Sequence, residues 1–295
     1  RILGLDVLRA VAIVLVVLAH SSGLMSAWWP RFPIIPRIDG VDLFFVLSGY
    51  LVGGLLLRAF PADRPLRSSL LDFWQRRWFR TLPNYYLFLA VNILLVWKGL
   101  APGMVDRAVA AYFVFMQNLH RPFDLFFWES WSLAVEEWFY LLFPLVLVPV
   151  LLLTKRGMHR AYPIVAVLFI VAPLLYRWHL AGASSTHATW DLYVRKLVLT
   201  RLDTIGVGTL AAWTAWRFPS TWDRWKIPCG LVGMGGLLML TSLHFGDAPP
   251  FMSTLYFTAV AISIGMLLPS LSAWRSHGPA ARGIGFISRI SYAMY

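Results

Sequence analysis

Three groups of polar residues stand inside apolar sequence, and each has residue types that can do chemistry. The first is Arg9 and His20 in "RAVAIVLVVLAHSSG". Eleven helical steps of 100° bring their side chains to within about 20° of one face, about 16 Å apart along the axis. Asp6, one turn before Arg9, shares roughly that face. An ionisable group inside an apolar span normally faces a bundle interior or a water-filled cavity. An imidazole that titrates near neutrality can take a proton from a hydroxyl; a hydrogen bond to a neighbouring helix is its plainer use. The second group is Glu136 and Glu137 in "ESWSLAVEEWFYLLFP". Two adjacent carboxylates are costly there unless a cation or water meets them, and a solvated helix start is the plainer reading. Ser132, Glu136 and Tyr140 recur at i, i+4 and i+8, a polar stripe. The third is Arg76, Arg77 and Arg80 in "DFWQRRWFRTLP", interleaved with Phe73, Trp74, Trp78 and Phe79. Guanidinium groups grip phosphate bidentately and aromatic rings stack on a base. An interfacial segment reaching anionic headgroups would look similar.

The elements that must position these groups are membrane spans. The chain has 295 residues, 59% hydrophobic and only 14% charged, against about 25% charged in a soluble domain. Its periodicity predicts helices over Leu5–Trp28, Asp42–Leu57, Leu82–Trp97, Ser130–Leu153, Ala161–Leu180, Val198–Trp216, Pro228–His244 and Phe251–Leu268, with an incomplete one from Ile284. The expected fold is therefore all-α, a polytopic transmembrane helical bundle with about nine spans present of an expected ten. It forms one membrane-embedded domain over residues 1–295, cut short at its C-terminal end. Val105–Asn118 is apolar but about half of what a span needs, a re-entrant or interfacial piece.

The net charge of +12 sits in short loops between spans, which argues for cationic anchors and against nucleic acid. Arg58, Arg64, Arg67, Arg76, Arg77 and Arg80 make the loop after the second span cytoplasmic, and with it the N-terminus. If Val105–Asn118 does not cross, the clusters at Lys155/Arg156/Arg160, Arg217/Arg224/Lys226 and Arg275/Arg282/Arg289 also fall inside. The loop Ala181–Lys196 and "HFGDAPP" then face outward. The lone cysteine, Cys229, forms no internal disulfide, and no metal-ligand spacing is present. In this topology Glu136 lies about 9 Å below the outer edge, and His20 about 22 Å above the inner edge of a core about 30 Å thick. The depths agree within a turn, so His20 and a glutamate are expected to share a site in the outer half. Lesser weight falls on Asp42 as an N-cap, on Ser48 and Gly49 as close-approach residues, and on Arg201 and Asp203 as helix-end ion-pair members. Trp190 and Asp191 are candidate sugar contacts.

Together these stretches resemble acyltransferase family 3, the integral-membrane acyltransferases that modify sugars and other hydroxyl acceptors. "GLDVLRAVAIVLVVLAH", "GVDLFFVLSGYLVGGLL", "FWQRRWFRTLP", "SWSLAVEEWFYLLFP", "TRLDTIGVGTLAA" and "ISRISYAMY" resemble the family's landmarks in order, over nearly the whole chain. Trp138 stands where the family usually has Gln, which alters the polar support beside the glutamates. The resemblance implies a cytoplasmic acyl-CoA donor, most often acetyl-CoA, with no metal, and an extracytoplasmic glycan or other hydroxyl acceptor. The expected roles are Arg9, Arg76, Arg77 and Arg80 on the CoA phosphates, and His20 as general base oriented by Glu136 or Glu137. Trp131, Ser132 and Tyr140 are expected on the substrate side. Direct transfer, or an acyl-enzyme on His20, Ser21 or Ser22, fits equally. A secondary transporter of a sugar or phosphorylated metabolite is the alternative, although no internal repeat supports it. Acceptor identity and oligomeric state are not legible.

Overall fold

The computed structural model describes residues 2–28, 39–59, 66–123, 126–154, 157–180, 187–243 and 250–294, without the side chains of 22–28, 250 and 292–294. Among these residues there are helices and no strand. In chain order they are α1 (Leu3–Trp28), α2 (Gly40–Ala59), α3 (Leu66–Trp97), α4 (Val109–Tyr112), α5 (Trp131–Thr154), α6 (Met158–Leu180), α7 (His187–Trp190), α8 (Leu202–Arg217), α9 (Pro219–Arg224), α10 (Lys226–Ser242), α11 (Pro250–Thr254), α12 (Tyr256–Ala273) and α13 (Pro279–Met294). Eight of the nine expected spans each fall on one helix of sixteen residues or more, and the ninth, Phe251–Leu268, is divided between α11 and α12. Six of the helices are long and apolar enough to cross a bilayer: α1, α2, α3, α5, α6 and α12. The chain is an integral membrane helical bundle. The expectations for Arg64, Lys155, Arg156, most of "HFGDAPP" and the Ser22 side chain lie outside the described residues.

The bundle is organised around α2, in which 13 of 20 residues are buried. One side of it joins a core with α3, α5, α6 and α8, centred on Phe45, Phe139, Phe143, Tyr162 and Ile205. The other side joins a core with α1, α8, α10 and α12, centred on Ile13, Leu47, Phe257 and Ile264. α2 and α8 can share both cores because Gly49 and Gly208 face each other. A Cβ on Gly49 would overlap the carbonyl of Ile205, and one on Gly208 that of Val46. Small residues are what allow backbones to approach this closely in a membrane.

Two elements differ from the sequence expectation. The span expected from Leu82 is the second half of α3, which also contains the arginine motif and runs through Pro83. A proline is tolerated within a span because neighbouring groups can meet the freed carbonyl. At 32 residues α3 is about 48 Å long, so its first half extends past a core of about 30 Å. The motif is thus a helical face, where a loop was expected.

Among its described residues the segment from Lys98 to Ser130 carries only α4 and a 3₁₀ turn at Trp128–Ser130, and neither is long enough to cross a bilayer. Irregular backbone at membrane depth survives only where protein groups satisfy it, and here side chains from α3 and α5, and Tyr112 of the segment itself, do so. Tyr85 donates to the Tyr112 carbonyl at 2.7 Å and Tyr86 to that of Phe113 at 2.8 Å. The Trp138 indole N–H donates to the Phe115 carbonyl at 2.8 Å, so Trp138 anchors this segment. Asn118 donates to the carbonyls of Trp131 and Lys196.

Candidate active site

Two cavities lie along the same three helices, offset toward opposite ends. The first, about 330 Å³, is lined by Arg9 of α1, Ser48 and Arg58 of α2, Arg77 and Arg80 of α3, Glu136 of α5 and Ser291 of α13, over an apolar wall of α2 residues. The second, about 280 Å³, is lined by Val16, Val17, His20 and Ser21 of α1, Val41 of α2, Glu129, and Trp131 and Ser132 of α5. Ser132 and Glu136 are one turn apart on α5, about 6 Å, so one helix face borders both.

The arginine cavity carries four guanidinium groups against one carboxylate. Arg77 NH2 lies 4.0 Å from Glu136 Oε2, with side chains 14% and 7% exposed. Its guanidinium sits 3.9 Å over the Tyr140 ring. Tyr140 donates to Glu136 Oε2 at 3.0 Å and is hydrogen-bonded to Ser48. Arg9 NH1 donates to Ser288 Oγ at 3.2 Å, and Ser288 donates to Asp6 at 2.6 Å. α13 thereby braces the α1 arginine at the cavity wall. Arg76 does not line the cavity: it is exposed and pairs with Asp72 at 3.8 Å. Arg77 and Arg80, three apart, were expected on one helical face, and both line the cavity, while Arg76, about 100° from Arg77, points away from it.

His20 is not joined to Glu136 or Glu137 by any hydrogen bond among the described residues. Its Nδ1 lies 2.8 Å from the Val16 carbonyl. A carbonyl can only accept, so Nδ1 carries the hydrogen and the neutral ring leaves Nε2 as its basic nitrogen. The ring orientation expected from a glutamate comes instead from backbone one turn away. Glu136 is drawn to Arg77 because α3 continues as a helix and brings a cation against it, the compensation a buried carboxylate requires. Glu137 is buried, and the polar groups that face it are Thr81 and Arg77 of α3.

The three substrate-side residues separate. Trp131 and Ser132 line the histidine cavity, where Trp131 packs edge-on to Phe45 with Arg195 5.4 Å from its ring. Tyr140 lines neither cavity; it is buried behind the arginine cavity, hydrogen-bonded to Glu136 and Ser48, which do line it. Three lining residues were not expected in a site: Glu129, Ser48, which was expected only to let helices approach, and Arg58, which was expected only as a loop charge. Glu129 stands seven residues before Glu136, two turns, and so continues the Ser132–Glu136–Tyr140 stripe. Ser48 and Arg58 lie ten apart on α2, on one face with Leu51 and Leu55. That periodicity was present in the sequence; only the neighbouring helices reveal that the face is polar-lined.

Other candidates are structural. Arg201 pairs with Asp42 at 0% and 3% exposure. Asp203 pairs with the fully buried Arg177 at 2.8 Å. Trp190 is 5% exposed, stacked on Phe257 and bonded to the Met252 carbonyl, so it offers no face to a sugar. Asp191 pairs with Arg195 at 2.7 Å and Lys196 at 2.5 Å, and Arg195 also holds Asp39 at 2.5 Å. Burial raises the Asp39 and Asp191 carboxyls, but Arg195, joined by the Val41 N–H and Arg201 at Asp39 and by Lys196 at Asp191, outweighs it and holds both below the usual carboxylate value. No group of three potential metal ligands occurs among the described residues.

The acyltransferase domain family matches residues 2–295. The chain is a member of the acyltransferase-3 family. Among curated relatives of this family it is similar to O-acetyltransferase OatA of Staphylococcus aureus (strain NCTC 8325 / PS 47), 30% identical over 99% of this chain and 49% of the relative. It is also similar to the protein named "Putative peptidoglycan O-acetyltransferase YrhL" of Bacillus subtilis (strain 168), 31% identical over 74% of this chain and 34% of the relative. The chain thus spans about half the length of OatA. No solved structure matches it. Its relatives are named for acyl transfer, which favours the acyltransferase-3 reading over transport.

Proposed function

We propose that this domain moves an acyl group, acetyl by analogy with its relatives, from acyl-CoA in the arginine cavity to a glycan hydroxyl in the histidine cavity. The observation that carries the reading is the pair of cavities bordered by one face of α5, one ringed by four arginines and the other holding an imidazole whose basic nitrogen is Nε2. Arg9, Arg58, Arg77 and Arg80 would bind the CoA phosphates, since net positive charge in a partly buried cavity selects polyanions. The end of the bundle with these residues carries the helix-end arginines and is taken as cytoplasmic. The pantetheine arm, slender and largely uncharged, would pass along α5 from Glu136 toward Ser132 and bring the thioester to His20.

There His20 Nε2 takes the proton of the acceptor hydroxyl as its oxygen attacks the thioester carbonyl. The tetrahedral intermediate collapses with loss of the CoA sulfur, which takes the proton from the imidazolium. The Val16 carbonyl keeps the ring in the required tautomer throughout. Glu136, through Tyr140 and Arg77, holds the donor side. The peptidoglycan acceptor named for the Bacillus relative makes an amino-sugar glycan the first acceptor class to test.

Radiolabelled acetyl-CoA supplied to membranes containing the protein tests this. Label is expected in the glycan fraction, and His20→Ala is expected to lower transfer by about 10²–10⁴-fold, the usual worth of a general base, while CoA still stabilises the variant to heat. Wild-type transfer by a folded His20→Ala protein would remove His20 from the chemistry.

A further inference from the structure

The segment between α3 and α5 encloses a third cavity, about 370 Å³, which the acyl-transfer reading leaves unused. That volume is within the range of about 300–1,000 Å³ typical of small-molecule sites. Its wall includes the buried aromatic rings of Tyr112, Phe123 and Phe126, and its polar lining includes Asp106, Gln117, His120 and Arg121. Gln117 is 8% exposed, and its Nε2 donates to Ser130 Oγ at 3.3 Å. Its Oε1 has no hydrogen-bond partner among the described residues. A buried amide carbonyl left without a donor costs free energy, and a hydroxyl or amide N–H from a bound molecule would remove that cost.

We propose that this cavity is a second sugar subsite, which holds a neighbouring residue of the glycan whose hydroxyl is acylated in the histidine cavity; it rests on the glycan-acceptor reading. Position supports this. Gln117 is bonded to Ser130, and Asn118 donates to the Trp131 carbonyl at 3.0 Å. Ser130 and Trp131 lead directly into Ser132, and Trp131 and Ser132 line the histidine cavity. The two cavities are therefore neighbours across one short stretch of α5's entry. The chemistry supports an uncharged polyol over an anion. Asp106 and Arg121 carry opposite charges, and the remaining polar lining offers donors and acceptors to hydroxyls.

Isothermal titration of the full chain in lipid nanodiscs with N-acetylglucosamine and its linear tetramer tests the subsite. The tetramer is expected to bind at least about tenfold more tightly than the monomer, the equivalent of one or two added hydrogen bonds. Arg121→Ala, at an exposed position, and Gln117→Leu are each expected to lower the tetramer's affinity toward the monomer's, with monomer and CoA affinities unchanged. A tetramer preference that survives both substitutions overturns the subsite and leaves the glycan reading intact. A wild-type protein that binds CoA but neither sugar overturns both.

Discussion

Arg77 is assigned two duties, neutralising Glu136 and contacting the donor, and they can be separated. Arg77→Ala leaves Glu136 buried at 7% exposure, with its nearest cation gone from 4.0 Å. At that distance and an effective dielectric constant near 20, the attraction is about 4 kcal/mol. Breaking one side of a buried pair costs about 3–5 kcal/mol by experience. Loss of the guanidinium from the Tyr140 ring adds about 1 kcal/mol. A destabilisation of about 4–6 kcal/mol is therefore expected. Glu136→Gln keeps an oxygen to accept from Tyr140 but leaves Arg77 without its carboxylate, so alone it should also destabilise, by less than Arg77→Ala because the guanidinium is the more exposed partner and borders a cavity. In the double variant it should recover most of what Arg77→Ala lost. CoA affinity should behave differently. Losing one charge-assisted phosphate contact costs about 1.5–3 kcal/mol, about 10- to 150-fold, and Glu136→Gln cannot restore a missing guanidinium. Thermal unfolding and CoA titration on the wild type, both single variants and the double complete the cycle. Wild-type CoA affinity in Arg77→Ala would refute the phosphate role. A double variant no more stable than Arg77→Ala would refute the pairing.

Two further outcomes follow from the packing and from the charge cluster between α2 and α7. Gly208→Ala should destabilise by at least about 1–3 kcal/mol, the usual cost of overpacking, because its methyl would meet the Val46 carbonyl; an unchanged unfolding temperature would show that α2 and α8 separate freely. Asp39 and Asp191 titrate below the ordinary value when folded, so they stabilise the fold above the unfolded carboxylate pKa and lose that contribution as pH falls through the lowered one. Their share of thermal stability should be constant above about pH 5 and fall below about pH 4, with a weaker fall in Arg195→Gln; identical acid profiles for the variant and the wild type would place the sensitivity elsewhere.

The helices and the shared face of Arg9 and His20 could be read without coordinates because both are local. A bilayer demands a run of about twenty apolar residues to satisfy backbone polarity, and helical periodicity then sets the angle between two side chains on one helix. The continuation of α3 through Pro83 was hidden because proline is a helix stop in water, while bundle neighbours make it tolerable. The reading of depth was sound in form, yet equal depth says nothing of lateral position. Which cation meets Glu136 depends on α3 lying beside α5, and Arg77 and Glu136 are 59 positions apart. Likewise, the separation of one expected site into two cavities, and the anchoring of the segment after α3 by Tyr85, Tyr86 and Trp138, arise from the order in which helices pack. A period of 3.6 residues specifies which way each helix faces its neighbours but not which neighbours they are; burial of polar groups against suitable partners across the bundle selects those.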